Sequence, residues 1–232
     1  LLRSVQHAHA IDVVIPVNNL LSIAPADVSA QGYDDARATA LFRTLQREVD
    51  AVPGVSGTAL ANPSPFSGNR HATSLRRAEA QDGQDAPGVR VFLSRVSPSF
   101  FSVASLPLVR GRVFEPGAPE EVVVSETLAR RLWGTASPLG ARLISGDFNR
   151  ASHVVVGIAR DAPFLSLRQR GEPFLFHATE SSAEGLGIGA TNDGTETRAR
   201  SGPAFDKQFT LALARAHEES GWDRVLTAYG SG

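Results

Sequence analysis

The residues that could carry chemistry are few and scattered. Histidines stand at positions 7, 9, 71, 153, 177 and 217, and none has the H-E-x-x-H spacing that sets two imidazoles and a base on one helical face. His7 and His9 form a His-x-His pair whose rings would share one side of a strand. A metal site needs further ligands and none lies nearby in the chain, so the pair reads as a polar lead-in to the first strand. His217-Glu218 falls on a predicted helix, where adjacent side chains diverge. Glu120 and Glu121 precede a predicted strand and would face opposite sides, which is poor geometry for acid and base work. Asp161 ends the run V-V-G-I-x-x-D and is the most attractive single acid. With no carboxylate, histidine or lysine assignable to the same site, it reads as a strand-end turn residue. Serines are plentiful, yet no G-x-S-x-G elbow occurs, and there is no cysteine to act as a nucleophile or soft ligand. GLGIG at 185–189 lacks the third glycine of a dinucleotide loop, and no G-x-x-x-x-G-K-[ST] is present. No catalytic, cofactor-binding or metal-binding residue is therefore assigned, and no cofactor is expected.

What remains is dense in signals of packing. Val122, Val123 and Val124 suit a buried strand, and Ser125 follows where a helix N-cap belongs. Leu128, Ala129, Leu132 and Trp133 share a helical face, Glu126 and Arg130 form an (i, i+4) pair, and Gly134 with Pro138 ends the run. Residues 97–105 read as a short apolar segment, and residues 106–109 as extended before Gly111 breaks them. Upstream, residues 20–23 predict a strand ended by Pro25. Asp34-Asp35 opens a long helix with Ala38, Leu41, Phe42, Leu45 and Val49 on one face, closed by Pro53-Gly54. Residues 55–60 return as a strand, so residues 19–61 form a strand, helix, strand unit. Residues 62–88 are rich in Asn, Pro, Ser, Gly and Asp and suggest an exposed excursion with one or two short strands rather than a core element, with Arg76 and Arg77 on a solvated loop. Residues 89–96 alternate as a strand, and residues 153–159 predict one buried on both faces.

The totals agree with a globular fold. The 232 residues are 42% hydrophobic and 20% charged, enough to bury a core in one large domain or two small ones. Net charge is −1, which carries no electrostatic footprint for nucleic acid or an anionic membrane surface. The apolar runs fall far short of the ~20 residues that cross a bilayer. With no methionine, the chain reads as part of a longer product.

One ordered series of motifs carries a resemblance. Val96, Ser97, Pro98, Phe100 and Phe101 come first, then Leu106, Pro107, Leu108, Gly111, Arg112 and Phe114. Val122, Val123, Val124, Glu126, Leu128, Ala129, Arg130, Arg131, Leu132 and Trp133 follow, and Pro138, Leu139 and Gly140 end the block. Flanking it are Val52-Pro53-Gly54-Val55, the run from Val155 to Asp161, and Glu172-Pro173-Phe174-Leu175-Phe176. Together these resemble the extracytoplasmic core domain of MacB-type and FtsX-like ABC transporter permeases over residues 1–178. Ala104-Ser105 departs from the pattern, where that family commonly has Leu-Gly.

The resemblance implies an α+β fold, with mixed sheets and packed helices in a two-lobed periplasmic core domain of a bacterial inner-membrane protein. It implies a non-catalytic role, in which ATP hydrolysed by a cytoplasmic ATP-binding subunit drives the parent permease's membrane helices and this domain moves as a rigid body to export or release a substrate. A periplasmic adaptor is a further partner of that kind. The motif residues Gly111, Arg112, Glu126, Leu128, Arg130, Leu132, Trp133 and Asp161 would act structurally, with Leu128, Leu132 and Trp133 fixing the helix to the sheet and Gly111 permitting a turn. Residues 179–232 form a separate β-α-β segment. Within it, Phe209, Ala212, Leu213 and Ala216 give a helix face, Gly221 ends it, and residues 224–229 read as a strand. Residues 185–232 resemble the opening of luciferase-like flavin monooxygenases, which keeps a partial FMN-dependent enzyme as an alternative, beside a free-standing binding module.

Overall fold

Asp34 starts the longest helix by accepting a hydrogen bond from the Arg37 amide at 2.8 Å through its side chain. The helix, α1 (Asp35–Asp50), buries Ala38, Leu41, Phe42, Leu45 and Val49 to 2% exposure or less, as its spacing predicts. The computed structural model describes residues 20–23, 34–52, 55–65, 70–79, 88–146, 152–164, 171–179 and 187–191. His7, His9, Pro25, Pro53-Gly54 and the expected helix and strand beyond residue 191 lie outside the described residues.

Around α1 the order is β1 (Leu20–Ile23), α1, β2 (Gly57–Asn62), β3 (His71–Arg77), β4 (Val89–Val96), α2 (Phe100–Val103), β5 (Leu108–Gly111) and β6 (Glu121–Ser125). Then come α3 (Glu126–Trp133), β7 (Arg142–Ser145), β8 (Ser152–Ala159), β9 (Phe174–Ala178) and β10 (Gly187–Thr191). All ten strands among the described residues belong to one mixed sheet, so the fold is α+β.

Six of the strands close on themselves. β3 pairs with β4 and β7, β7 with β8, β8 with β6, β6 with β9, and β9 returns to β4. Alternate residues from all six fill one cluster: Leu75, Val91 and Leu93, Val122 and Val124, Leu143, Val155, and Leu175. That cluster is the interior of the ring. Leu128 and Ala129 of α3 join it, so α3 covers an open end of the ring. A second cluster lies on the outer face, where Phe100, Phe101 and Val103 of α2 meet Val123, Phe174 and Phe176.

The sequence predicts a short strand within residues 62–88, but β3 is a core element rather than part of an exposed excursion. It is a seven-residue strand paired on both edges, with Leu75 fully buried and Thr73 4% exposed. A strand this polar is accepted because Thr73 Oγ1 and Ser145 Oγ satisfy each other at 3.1 Å inside the ring. Arg76 and Arg77 are strand residues, not loop residues. β8 also departs from its expectation: it alternates at its start and is buried on both faces only from Gly157 onward. Beyond the ring, β10 runs antiparallel between β1 and β2, filling the gap in the strand, helix, strand unit.

Candidate functional site

Ser125 and Asp161 hold the start of α3 from two sides. Ser125 Oγ accepts from the Leu128 amide at 3.2 Å and from the Phe174 amide at 3.0 Å, which ties the helix N-terminus to β9. Asp161, just past β8, accepts from the Thr127 amide at 2.9 Å and from Thr127 Oγ1 at 2.7 Å. Arg130 reaches the same carboxylate at 3.1 Å. The expected Glu126–Arg130 pair is replaced by this arrangement, because Glu126 instead accepts from the Asp161 amide at 3.1 Å. Asp161 is thus engaged by backbone, hydroxyl and arginine donors, and Glu126 by the Asp161 amide. Asp161→Ala removes the acceptor of two donors on Thr127, a residue 8% exposed, and is expected to cost about 2 kcal/mol. A urea titration of the full chain reads this directly, and an unchanged midpoint would assign the capping role to Ser125 alone.

Arg112 and Glu121 form a second fixed pair. The guanidinium grips Glu121 with both terminal nitrogens, at 2.8 Å through one of them, and also donates to the Val113 carbonyl at 3.0 Å. Glu121 accepts as well from the Glu115 amide at 3.0 Å. The hydrogen bond from Arg112 holds the Glu121 carboxyl below the usual carboxylate range. The fork pins the turn after β5 to the head of β6. Gly111, at the end of β5, has φ +79°, and a Cβ there would lie 2.3 Å from the Val156 carbonyl oxygen. A Cβ on Gly157 would lie 2.2 Å from the Arg112 carbonyl oxygen, so the two strands approach glycine to glycine. Of the remaining motif residues, Leu128 is fully buried, whereas Leu132 and Trp133 are only partly buried against the interior cluster.

The groove beside α2 is different in kind. Phe101, Ser102, Ser105, Leu106, Pro107 and Leu108 line an open space of about 390 Å³ with two hydroxyls and no ionisable group. It could hold an apolar side chain. Ser105 has φ +50° here, where the resembled family commonly has glycine. Among the described residues no group of three histidine, aspartate or glutamate side chains could hold a metal. One contact escaped the sequence: His153 and His177 meet edge to face, with ring centroids 4.6 Å apart. Their separation along the chain hid it, and only the pairing of β8 and β9 with β6 would have disclosed it.

The sequence matches the MacB-like periplasmic core domain over residues 3–202. The chain belongs to this family. Three solved structures share the fold of the MacB-like domain described here, each at 13% identity. The periplasmic region of MacB from Actinobacillus actinomycetemcomitans has a TM-score of 0.54, covering 90% of this chain and 86% of its own. The extracellular domain of the noncanonic ABC-type transporter YknZ from Gram-positive bacteria has a TM-score of 0.53, covering 90% and 100%. A domain of a putative permease protein from Porphyromonas gingivalis has a TM-score of 0.54, covering 89% and 86%. No curated protein matches the sequence. The family and fold are those of ABC transporter permease domains outside the cytoplasm, and the family match runs past residue 178 through β10.

Proposed function

We propose that this MacB-like domain is a non-catalytic transmission element, which carries movement of the parent permease's membrane helices into export or release of a substrate. One observation carries the reading: β1 and β10, the first and last described strands, lie side by side, with Leu20 opposite Thr191. Segments entering before β1 and leaving after β10 therefore grip one hydrogen-bonded ladder, and β10 passes any displacement through β2 to the ring. A closed ring with a packed interior resists internal deformation, so it moves as a body. In this reading the energy comes from a cytoplasmic ATP-binding subunit, the setting is the periplasmic side of a bacterial inner membrane, and a periplasmic adaptor is a further partner. The position of β10 in the sheet supports extending the core domain beyond residue 178. Of the segment that resembles a flavin monooxygenase, Gly187–Thr191 is the described part, and it is a strand of this sheet.

The test is made in the whole permease. Flexible Gly-Ser linkers of about eight residues, inserted before Leu20 and after Thr191, should absorb the movement. Export is expected to fall at least tenfold while ATP hydrolysis continues. Export at the parental rate would refute transmission through this domain.

A further inference from the structure

We propose that His153 and His177, together with Arg95, form a pH-sensitive joint in the wall of the ring, closed when both imidazoles are neutral and weakened on acidification. His153 lies two residues before Val155 on β8, and His177 two residues after Leu175 on β9. Strand alternation places both on the interior face with those cluster residues. They reach each other across β6, where Val122 stands opposite His177. His153 is only 7% exposed, and its Nδ1 has no hydrogen-bond partner. A neutral imidazole tolerates that position, whereas a charged one would be desolvated beside a second positive group.

Among the described residues, the strand register sets no acid opposite either ring. Arg95 on β4 stands opposite His177, Leu143 on β7 stands opposite His153, and Val122 is the β6 neighbour. Arg77 on β3 lies opposite Leu143 and donates towards the Leu132 carbonyl. On α3, Arg130 is engaged with Asp161. Arg95 is the charged residue that the register sets beside His177. Burial, with His153 and Arg95 adding to it, pushes His177 down to about 3, and burial lowers His153 as well.

The unfolded chain takes up protons near the ordinary histidine value of about 6.5, while the folded pair does not. Its contribution to stability is therefore full above that value and is lost as pH falls towards about 3. Carboxylates enter only below about pH 5, which leaves a window in which histidine titration dominates.

The experiment is urea unfolding of the full chain at intervals from about pH 7.5 to pH 5, with hydrogen exchange at the β9 amides alongside. For the parent, the ratio of folded to unfolded protein is expected to fall by up to ~10-fold per pH unit per histidine below about 6.5. H177F, which keeps an aromatic ring and removes the proton site, should flatten that slope, and β9 exchange should lose its acid acceleration. Should phenylalanine not be accommodated, His177→Gln, neutral at every pH, makes the same comparison. Parallel slopes in parent and variant would overturn the joint, as would acid acceleration of exchange that spares β9.

Discussion

Gly111→Ala is expected to destabilise the domain by about 3 to 5 kcal/mol, a large part of the ~5–15 kcal/mol that holds a typical domain folded. Two costs combine at this position. The backbone has φ +79°, a conformation that disfavours any residue with a Cβ by about 1 to 2 kcal/mol. The added methyl would also sit 2.3 Å from the Val156 carbonyl oxygen and 2.9 Å from Gly157 Cα, both backbone atoms that a rotamer change cannot move. Relief requires β5 to separate from β8, which loses the Arg112 amide bond to Val156 and pulls the Arg112 fork from Glu121. Gly134 supplies the control. It has φ +63° at the end of α3, but a Cβ there meets nothing within 4 Å. Gly134→Ala should therefore cost only the backbone term, about 1 to 2 kcal/mol. Equal urea midpoints for the two variants would show that the close approach of β5 and β8 contributes nothing beyond φ.

The contrast between these two glycines shows what a sequence can disclose. Gly134 is legible because it ends a helical pattern, and a helix end needs little beyond its neighbours to be recognised. Gly111 is legible as a break, but its reason lies 46 residues downstream in Gly157, where the β6 and β8 pairing also slips by one residue. The same division runs through the fold. α1, β4, β6 and α3 could be read locally, because each has a strong apolar period and a cap or turn of its own. β3 could be read only as a short strand of an exposed excursion: its inward residues Thr73 and Leu75 give too little apolar signal to place it in the core, and the Thr73 hydroxyl meets Ser145 from a distant strand. Ring closure through β4 and β9, the entry of β10 between β1 and β2, and the His153–His177 contact are all products of pairing between distant segments. Glu126 and Arg130 failed as a local pair for the same reason. Asp161, brought in from the end of β8, is a better partner for Arg130 than its own helix neighbour, since it caps the helix at the same time.

Leu128→Ala is expected to cost about 3 to 5 kcal/mol, and Trp133→Ala about 1 to 2 kcal/mol, although tryptophan is the larger side chain. Burial decides the order. Leu128 is fully buried within the interior cluster, whereas Trp133 packs on the margin of that cluster and remains partly exposed. Removing Leu128 opens a cavity between α3 and the ring wall that cannot collapse easily, because Ser125 ties the helix start to β9 and Asp161 ties it to the end of β8. Removing Trp133 exposes apolar surface that already meets solvent. Thermal or urea unfolding of both variants tests the ranking, and a costlier Trp133→Ala would place the anchor at the wrong end of the helix. The ranking also bears on transmission. If the ring moves as a body, stiffness at Leu128 matters to export, and Leu128→Ala in the whole permease should weaken export at temperatures where the domain is still folded. Trp133→Ala should leave it nearly intact, because a helix held by Leu128, Ser125 and Asp161 still closes the ring.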